Sequence, residues 1–110
     1  MTTFDFGNGP VPAHKHPNGG GWVADSASVA DTAYVGPDAR VYGKARVSGT
    51  ALVSGYAQVY DNAWVSGTAL VYGNAQVSDN AWVSGDAHVS GNDEVAEEDM
   101  FIEMNGWHFG

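Results

Sequence analysis

Valine recurs every six residues along most of this chain, at 29, 35, 41, 47, 53, 59, 65, 71, 77, 83, 89 and 95, and alanine follows four residues behind each valine from Ala33 to Ala87. A longer period lies over this one. The segment VSGTALVSGYAQVYDNAW, residues 47–64, is followed by VSGTALVYGNAQVSDNAW, residues 65–82, and the copies differ only at Ser54/Tyr72, Tyr56/Asn74 and Tyr60/Ser78. A period of six nested in a period of eighteen means three equivalent sides per turn, so the chain is expected to climb as a triangular coil with one short strand on each side.

The columns of that coil follow from the spacing. Valine and alanine point inward, while Gly49, Asp61-Asn62, Gly73-Asn74 and Asp79-Asn80 fall at corners, where residues that tolerate left-handed backbone are needed. Residues flanking each valine point outward, because side chains alternate along a strand. The first side then carries Ser28, Arg46, Trp64 and Trp82, with Ala30, Ser48, Ser66 and Ser84 beside them. The second carries Tyr34, Leu52, Leu70 and His88, with Tyr72 adjacent, and the third carries Arg40, Gln58, Gln76 and Glu94, with Tyr42 and Tyr60 adjacent. Two sides are expected to be apolar and the third mostly polar. Trp64 and Trp82 beside Tyr34, Leu52, Leu70 and Tyr72 form a contiguous apolar patch, of the kind that marks a contact surface.

Valine at the first hexad position and alanine at the fifth, over roughly residues 22–95, resemble the pattern of the hexapeptide-repeat family. The resemblance implies an all-β fold: a left-handed parallel β-helix of about four triangular 18-residue coils with N- and C-terminal caps. The expected division is an N-terminal cap at 1–21, the helix at 22–95 and an acidic, hairpin-containing cap at 96–110. The family is largely trimeric, which implies a homotrimer in which one subunit's tryptophan side meets the next subunit's leucine side. Its acyltransferases hold a catalytic histidine and the pantetheine arm in the groove between prisms, commonly beside a loop that leaves the coil. On that resemblance His88 is the candidate general base, acyl-CoA the cofactor and the tryptophan side a wall for the pantetheine. Asp86, two residues away, falls at a corner, and no insertion interrupts the coils. The expected function is therefore a non-catalytic, cofactor-free binding module with a protein or small-molecule partner. Short, regular chains with a histidine-proline-glycine leader also resemble bacterial and phage proteins that act as inhibitors or small-ligand sponges, through inter-subunit grooves or the acidic end.

Outside the coils, MTTFDFGNGPVPAHKHPNGGGW is rich in proline and glycine, which favour extended chain and tight turns. Phe4 and Phe6 alternate with polar neighbours and are expected to form an aromatic lid over the valines of the open first coil. His14 and His16, two apart, would point to one side of an extended strand and are weak candidates for a shared metal ion, since a structural zinc usually takes four protein ligands. The carbonic anhydrase relatives take zinc histidines from the coils and from two subunits, a spacing this chain lacks. At the other end Asp93, Glu94, Glu97, Glu98 and Asp99 form an acidic end that discourages end-to-end stacking of open strands. Asn105-Gly106 within FIEMNGWHFG is a hairpin signal.

Charge and composition narrow the partners. The net charge is −9, and the only bases are Lys15, Arg40, Lys44 and Arg46, so neither nucleic acid nor an anionic membrane is expected as a partner. The absence of cysteine excludes disulfides and thiolate metal sites. No apolar run has the length of a membrane span or a signal peptide, which gives a cytoplasmic location as the expectation.

Overall fold

The computed structural model describes residues 2–7, 9–79, 81–85 and 88–90, together with the strand backbones at 94–95, 101–102 and 108–109. Two-residue strands recur every six residues, each ending in a hexad valine, from Ser28–Val29 to Glu94–Val95. Each strand pairs in parallel with the one eighteen residues away, as Trp64 does with Arg46 and Trp82, and Leu70 with Leu52 and His88. The rungs collect into one seven-stranded and two five-stranded sheets, which are the three walls of a parallel β-solenoid. The hydrogen bonding is equally periodic: the amide of residue i donates to the carbonyl of residue i+17, as in Ser28 to Ala45 at 3.0 Å and Trp64 to Ala81 at 3.0 Å.

The interior is made of the predicted residues. Val35 through Val89 and Ala33 through Ala81 form one continuous cluster, nearly all of them without solvent exposure. Val29, at the first rung of its wall, is only partly buried and packs against the edge of that cluster. A valine and an alanine per side suffice because three walls converge on the axis, leaving room for two methyls from one position and one from the other.

The corners obey a stricter rule than the one read from sequence. A positive φ occurs at every sixth residue from Gly43 to Gly85, and the non-glycine members of the series are Asp61 and Asp79, at φ 60° and 55°. Asn62 and Asn74, one residue later, do not share it. The left-handed residue is therefore the third of the hexad and not the fourth. At Gly67 an added Cβ would lie 2.9 Å from the backbone nitrogen of Gly85, so both strain and crowding fix glycine there.

The N-terminal segment does not form a lid over the valines. Thr3–Asp5 (β1) pairs antiparallel with Pro10–Lys15 (β2), and β2 pairs antiparallel with Trp22–Ala24 (β3), the first parallel rung of the third wall. This lengthens the third wall by two strands. Residues of β2 on the same face as Trp22 and Ala24 lie outside the solenoid, and Phe4 and Phe6 follow them there. The cap of the second wall is instead the turn at residues 16–21. Val35 donates to Asn18 O at 3.0 Å and Gly21 to Val35 O at 2.9 Å, so this turn takes the place of a missing rung above Tyr34–Val35. Added Cβ atoms at Gly19 and Gly21 would fall 2.2 and 2.3 Å from the Val35 and Gly36 carbonyl oxygens, which explains the glycine run.

The C-terminal hairpin expectation is also corrected. Phe101–Ile102 pairs in parallel with Trp82–Val83 and His108–Phe109 with His88–Val89, so the two strands join different walls and do not pair with each other. They add a further rung to two walls, and continued pairing covers the strand edges that a hairpin would leave open.

Two glycine substitutions test the corner rule. Gly67→Ala is expected to destabilise the chain by about 1–2 kcal/mol, the cost of a left-handed residue with a Cβ. Gly36 has ordinary backbone, and its added Cβ meets nothing closer than 3.4 Å, so Gly36→Ala should leave stability within about 0.5 kcal/mol. Urea unfolding followed by circular dichroism checks both.

Candidate functional site

In-register parallel pairing sets like on like, and the outward columns become ladders. On the first wall Trp64 and Trp82 stack with centroids 5.0 Å apart and planes 5° from parallel. They keep 38% and 40% of their surface exposed, whereas the valine that follows each of them, Val65 or Val83, keeps none. The guanidinium of Arg46 lies 6.0 Å from the Trp64 ring on the rung before. The adjoining column is serine at 48, 66 and 84, too short to cover the indoles, and Ser84 is itself buried.

On the second wall Tyr34, Leu52, Leu70 and His88 stand in one column and are half-buried. Tyr72 stands beside them, and its ring meets His88 edge-on at 6.4 Å. The two apolar columns are not one patch. Between them run the serine column and the corner at Gly49, Gly67 and Gly85, so they face outward from different walls.

The third wall was expected to be mostly polar, and it holds the largest aromatic assembly among the described residues. Phe6, Tyr42 and Tyr60 form a ladder with centroid spacings of 4.7 and 4.9 Å. Phe4 stacks on Trp22 at 4.7 Å and meets Phe6 edge-on at 4.8 Å. Ala13 and Ala24 lie beneath them, and their small side chains leave the rings room to settle against the strand. The signal was present in the sequence, in the eighteen-residue step from Tyr42 to Tyr60 and the alternation of Phe4 and Phe6. What composition alone could not show is that β1 folds back over the outer face.

The tyrosine hydroxyls reach across the wall to the glutamine column. Tyr42 Oη donates to Gln58 Oε1 at 2.9 Å, and Tyr60 Oη donates to Gln76 Oε1 at 3.1 Å. Burial raises the Tyr42 pKa above its ordinary 10.0, with the negative charges of ionised Tyr60 and of Asp61 adding to the shift and Arg40 opposing it. Beside this ladder, at the corner leading to the tryptophan wall, a cavity of about 320 Å³ opens between the β1–β2 hairpin and the coil. Phe6, Val11, Tyr42, Tyr60 and Asp61 are among its lining residues.

The N-terminal histidines do different things. His14 Nδ1 lies 2.7 Å from Asp25 Oδ1 in an exposed pair. His16 is 3% exposed, and its Nε2 donates to Ala33 O at 2.9 Å, beside Asn18 Nδ2, which donates to the same carbonyl at 3.1 Å. Among the described residues no group of three or more His, Cys, Asp and Glu side chains is placed to hold a metal ion. Asp86, Asp93, Glu97, Glu98 and Asp99 lie outside the described residues, and only the strand backbone is described at Glu94.

The family model described as YdcK beta solenoid repeat matches residues 57–73 and 75–91, about a third of the chain. The chain is a β-solenoid repeat protein. No curated protein and no solved structure was found to match it.

The tyrosine ladder carries a prediction about alkaline pH. With a raised folded-state pKa, Tyr42 stabilises the fold fully below pH 10.0, its unfolded value, and that contribution is lost as pH rises through the folded value. Spectrophotometric titration should show the last part of the tyrosine absorbance rise, above pH 10.0, diminished in Tyr42→Phe. Unfolding measured over the same range should fall less steeply with pH in that variant.

Proposed function

We propose that this chain is a non-catalytic interaction module that acts as a homotrimer, with the tryptophan wall of one subunit set against the leucine wall of the next. One observation carries the proposal: two parallel indoles, about two-fifths exposed, stand proud of a serine column that cannot shelter them. Each tryptophan brings roughly 150–250 Å² of surface to a contact, so a neighbouring copy gains most by covering that column. The separation of the apolar columns onto different walls supports the same arrangement, because a ring of prisms needs two different faces per subunit. The grooves between subunits, and the end of the solenoid, are then the surfaces for a protein or small-molecule partner.

The alternative is an acyl-CoA-dependent enzyme with His88 at a subunit groove. A histidine base needs a carboxylate or carbonyl to orient it, and the contact described for the His88 ring is the edge of Tyr72.

Sedimentation velocity tests the assembly. The wild type should sediment as a trimer, whereas Trp82→Ser and Leu70→Ser should each shift it toward monomer with an unchanged circular dichroism spectrum. A monomeric wild type sinks the proposal. Acyl transfer from acetyl-CoA that saturates, and that His88→Ala removes, would replace it with the enzymatic alternative.

A further inference from the structure

The cavity beside the tyrosine ladder is a built space with a particular chemistry. Its volume, about 320 Å³, lies at the lower end of the range for small-molecule sites. One wall is the hairpin, which brings Phe6 and Val11, and the other is the coil, which brings Tyr42 and Tyr60. The hairpin wall is held in place: Asp5 Oδ1 accepts the amides of Gly7 at 2.7 Å and Gly9 at 3.1 Å, and Phe6 stacks on Tyr42.

Most of the polar groups around this space are spent on the protein itself. The Ser26 hydroxyl donates to Gly43 O, and the hydroxyls of Tyr42 and Tyr60 donate to Gln58 and Gln76. Asp61 is the charged residue of the lining. Its side chain is exposed, it forms no ion pair among the described residues, and its one described side-chain hydrogen bond, from Asp79 N, is long at 3.4 Å. Apolar walls with a single unpaired carboxylate at the rim select one kind of guest. An anion would meet that carboxylate and the overall charge of −9, whereas a cation would be drawn by both.

The rings point the same way. Of the four basic side chains in the sequence, Lys15 lies over Trp22 at 5.6 Å, Arg40 over Phe4 at 5.1 Å and Arg46 over Trp64 at 6.0 Å. The molecule already places its own cations against aromatic surface, an arrangement favoured by the ring quadrupole.

We propose that this cavity binds a small organic cation, an aryl-alkyl ammonium whose ring packs against Phe6, Val11 and the tyrosine ladder while its ammonium group pairs with Asp61. The site belongs to the third wall and to a single chain. It does not rest on the trimer, and the sedimentation experiment can fail without touching it.

The test is an NMR titration of the full chain with 2-phenylethylammonium, using phenylacetate and 2-phenylethanol as anionic and neutral probes of similar shape. The ammonium probe should give saturable shifts at Val11, Tyr42 and Tyr60, with phenylacetate at least about tenfold weaker. Asp61→Asn keeps a residue that tolerates the φ of 60° and should weaken the ammonium probe about twofold to fivefold while leaving 2-phenylethanol unchanged. Asp61→Gly, which copies Gly43 one coil earlier, serves the same purpose if the asparagine variant folds poorly. Val11→Trp should fill the space and abolish binding while the Trp64 and Trp82 resonances stay in place. Equal binding of phenylacetate, no effect of removing the Asp61 carboxylate, or no saturable shift at these residues would each overturn the assignment.

Discussion

A backbone amide donating to a carbonyl seventeen residues further along the chain is the contact on which everything else here depends. Repeated from Ser28 to Ala45, from Trp64 to Ala81 and at alternate residues along most of the stretch between, it holds each coil at strand spacing above the next. No side chain is needed to set that distance. Once it is set, every residue sits directly over the residue one coil away, and the sequence must satisfy three conditions. Inward positions must fill a narrow triangular section, corners must turn within two residues, and outward positions must tolerate stacking on their own kind. Valine with alanine meets the first condition, and a left-handed glycine or aspartate meets the second.

The third condition is where chemistry enters. Strict register turns any outward residue type into a ladder, so tryptophan, leucine, glutamine and tyrosine appear as stripes and not as isolated side chains. Threonine shows the same effect at the corners: the hydroxyls of Thr32 and Thr68 donate to the carbonyls of Gly49 and Gly85 in the coil ahead, which commits them to holding coils together. A stripe of rings stacks on itself and presents edges and flanks to its surroundings. Surfaces of this kind suit another flat wall, as proposed for the tryptophan side, or a cavity closed by an added strand, as beside Tyr42 and Tyr60.

The repeat was legible because its period is enforced at every rung. The valine and alanine columns, the membership of each wall and the parallel step of eighteen all follow from counting. What escaped lay mostly outside the period. Phe4 and Phe6 read as apolar residues in search of a core, and sequence offered the valines as the obvious one. The structure places them on the outer face because β2 pairs with the edge of β3, and strand alternation then carries them outward to Trp22 and Tyr42. His16 was read together with His14 on spacing alone, yet a tight glycine turn follows it and draws it in toward Ala33 O. The Asn105-Gly106 pair signalled a hairpin from local turn chemistry, whereas the strands on either side of it find long-range partners on separate walls. In each case a tertiary pairing partner, invisible to a local pattern, decided the outcome.

Register can be measured directly, since the chain has no cysteine of its own. Ser48 and Ser66 stand one coil apart on the same wall, where neighbouring strands are roughly 4.8 Å apart, close to the usual Cα separation of a disulfide. Ser48 and Ser54 stand only six residues apart in sequence but on different walls. Under mild oxidation at low protein concentration, the Ser48→Cys, Ser66→Cys double variant should close an intramolecular disulfide readily, and the Ser48→Cys, Ser54→Cys double variant should keep its thiols. Closure of the pair six apart, with the pair eighteen apart left reduced, would contradict a solenoid with this repeat.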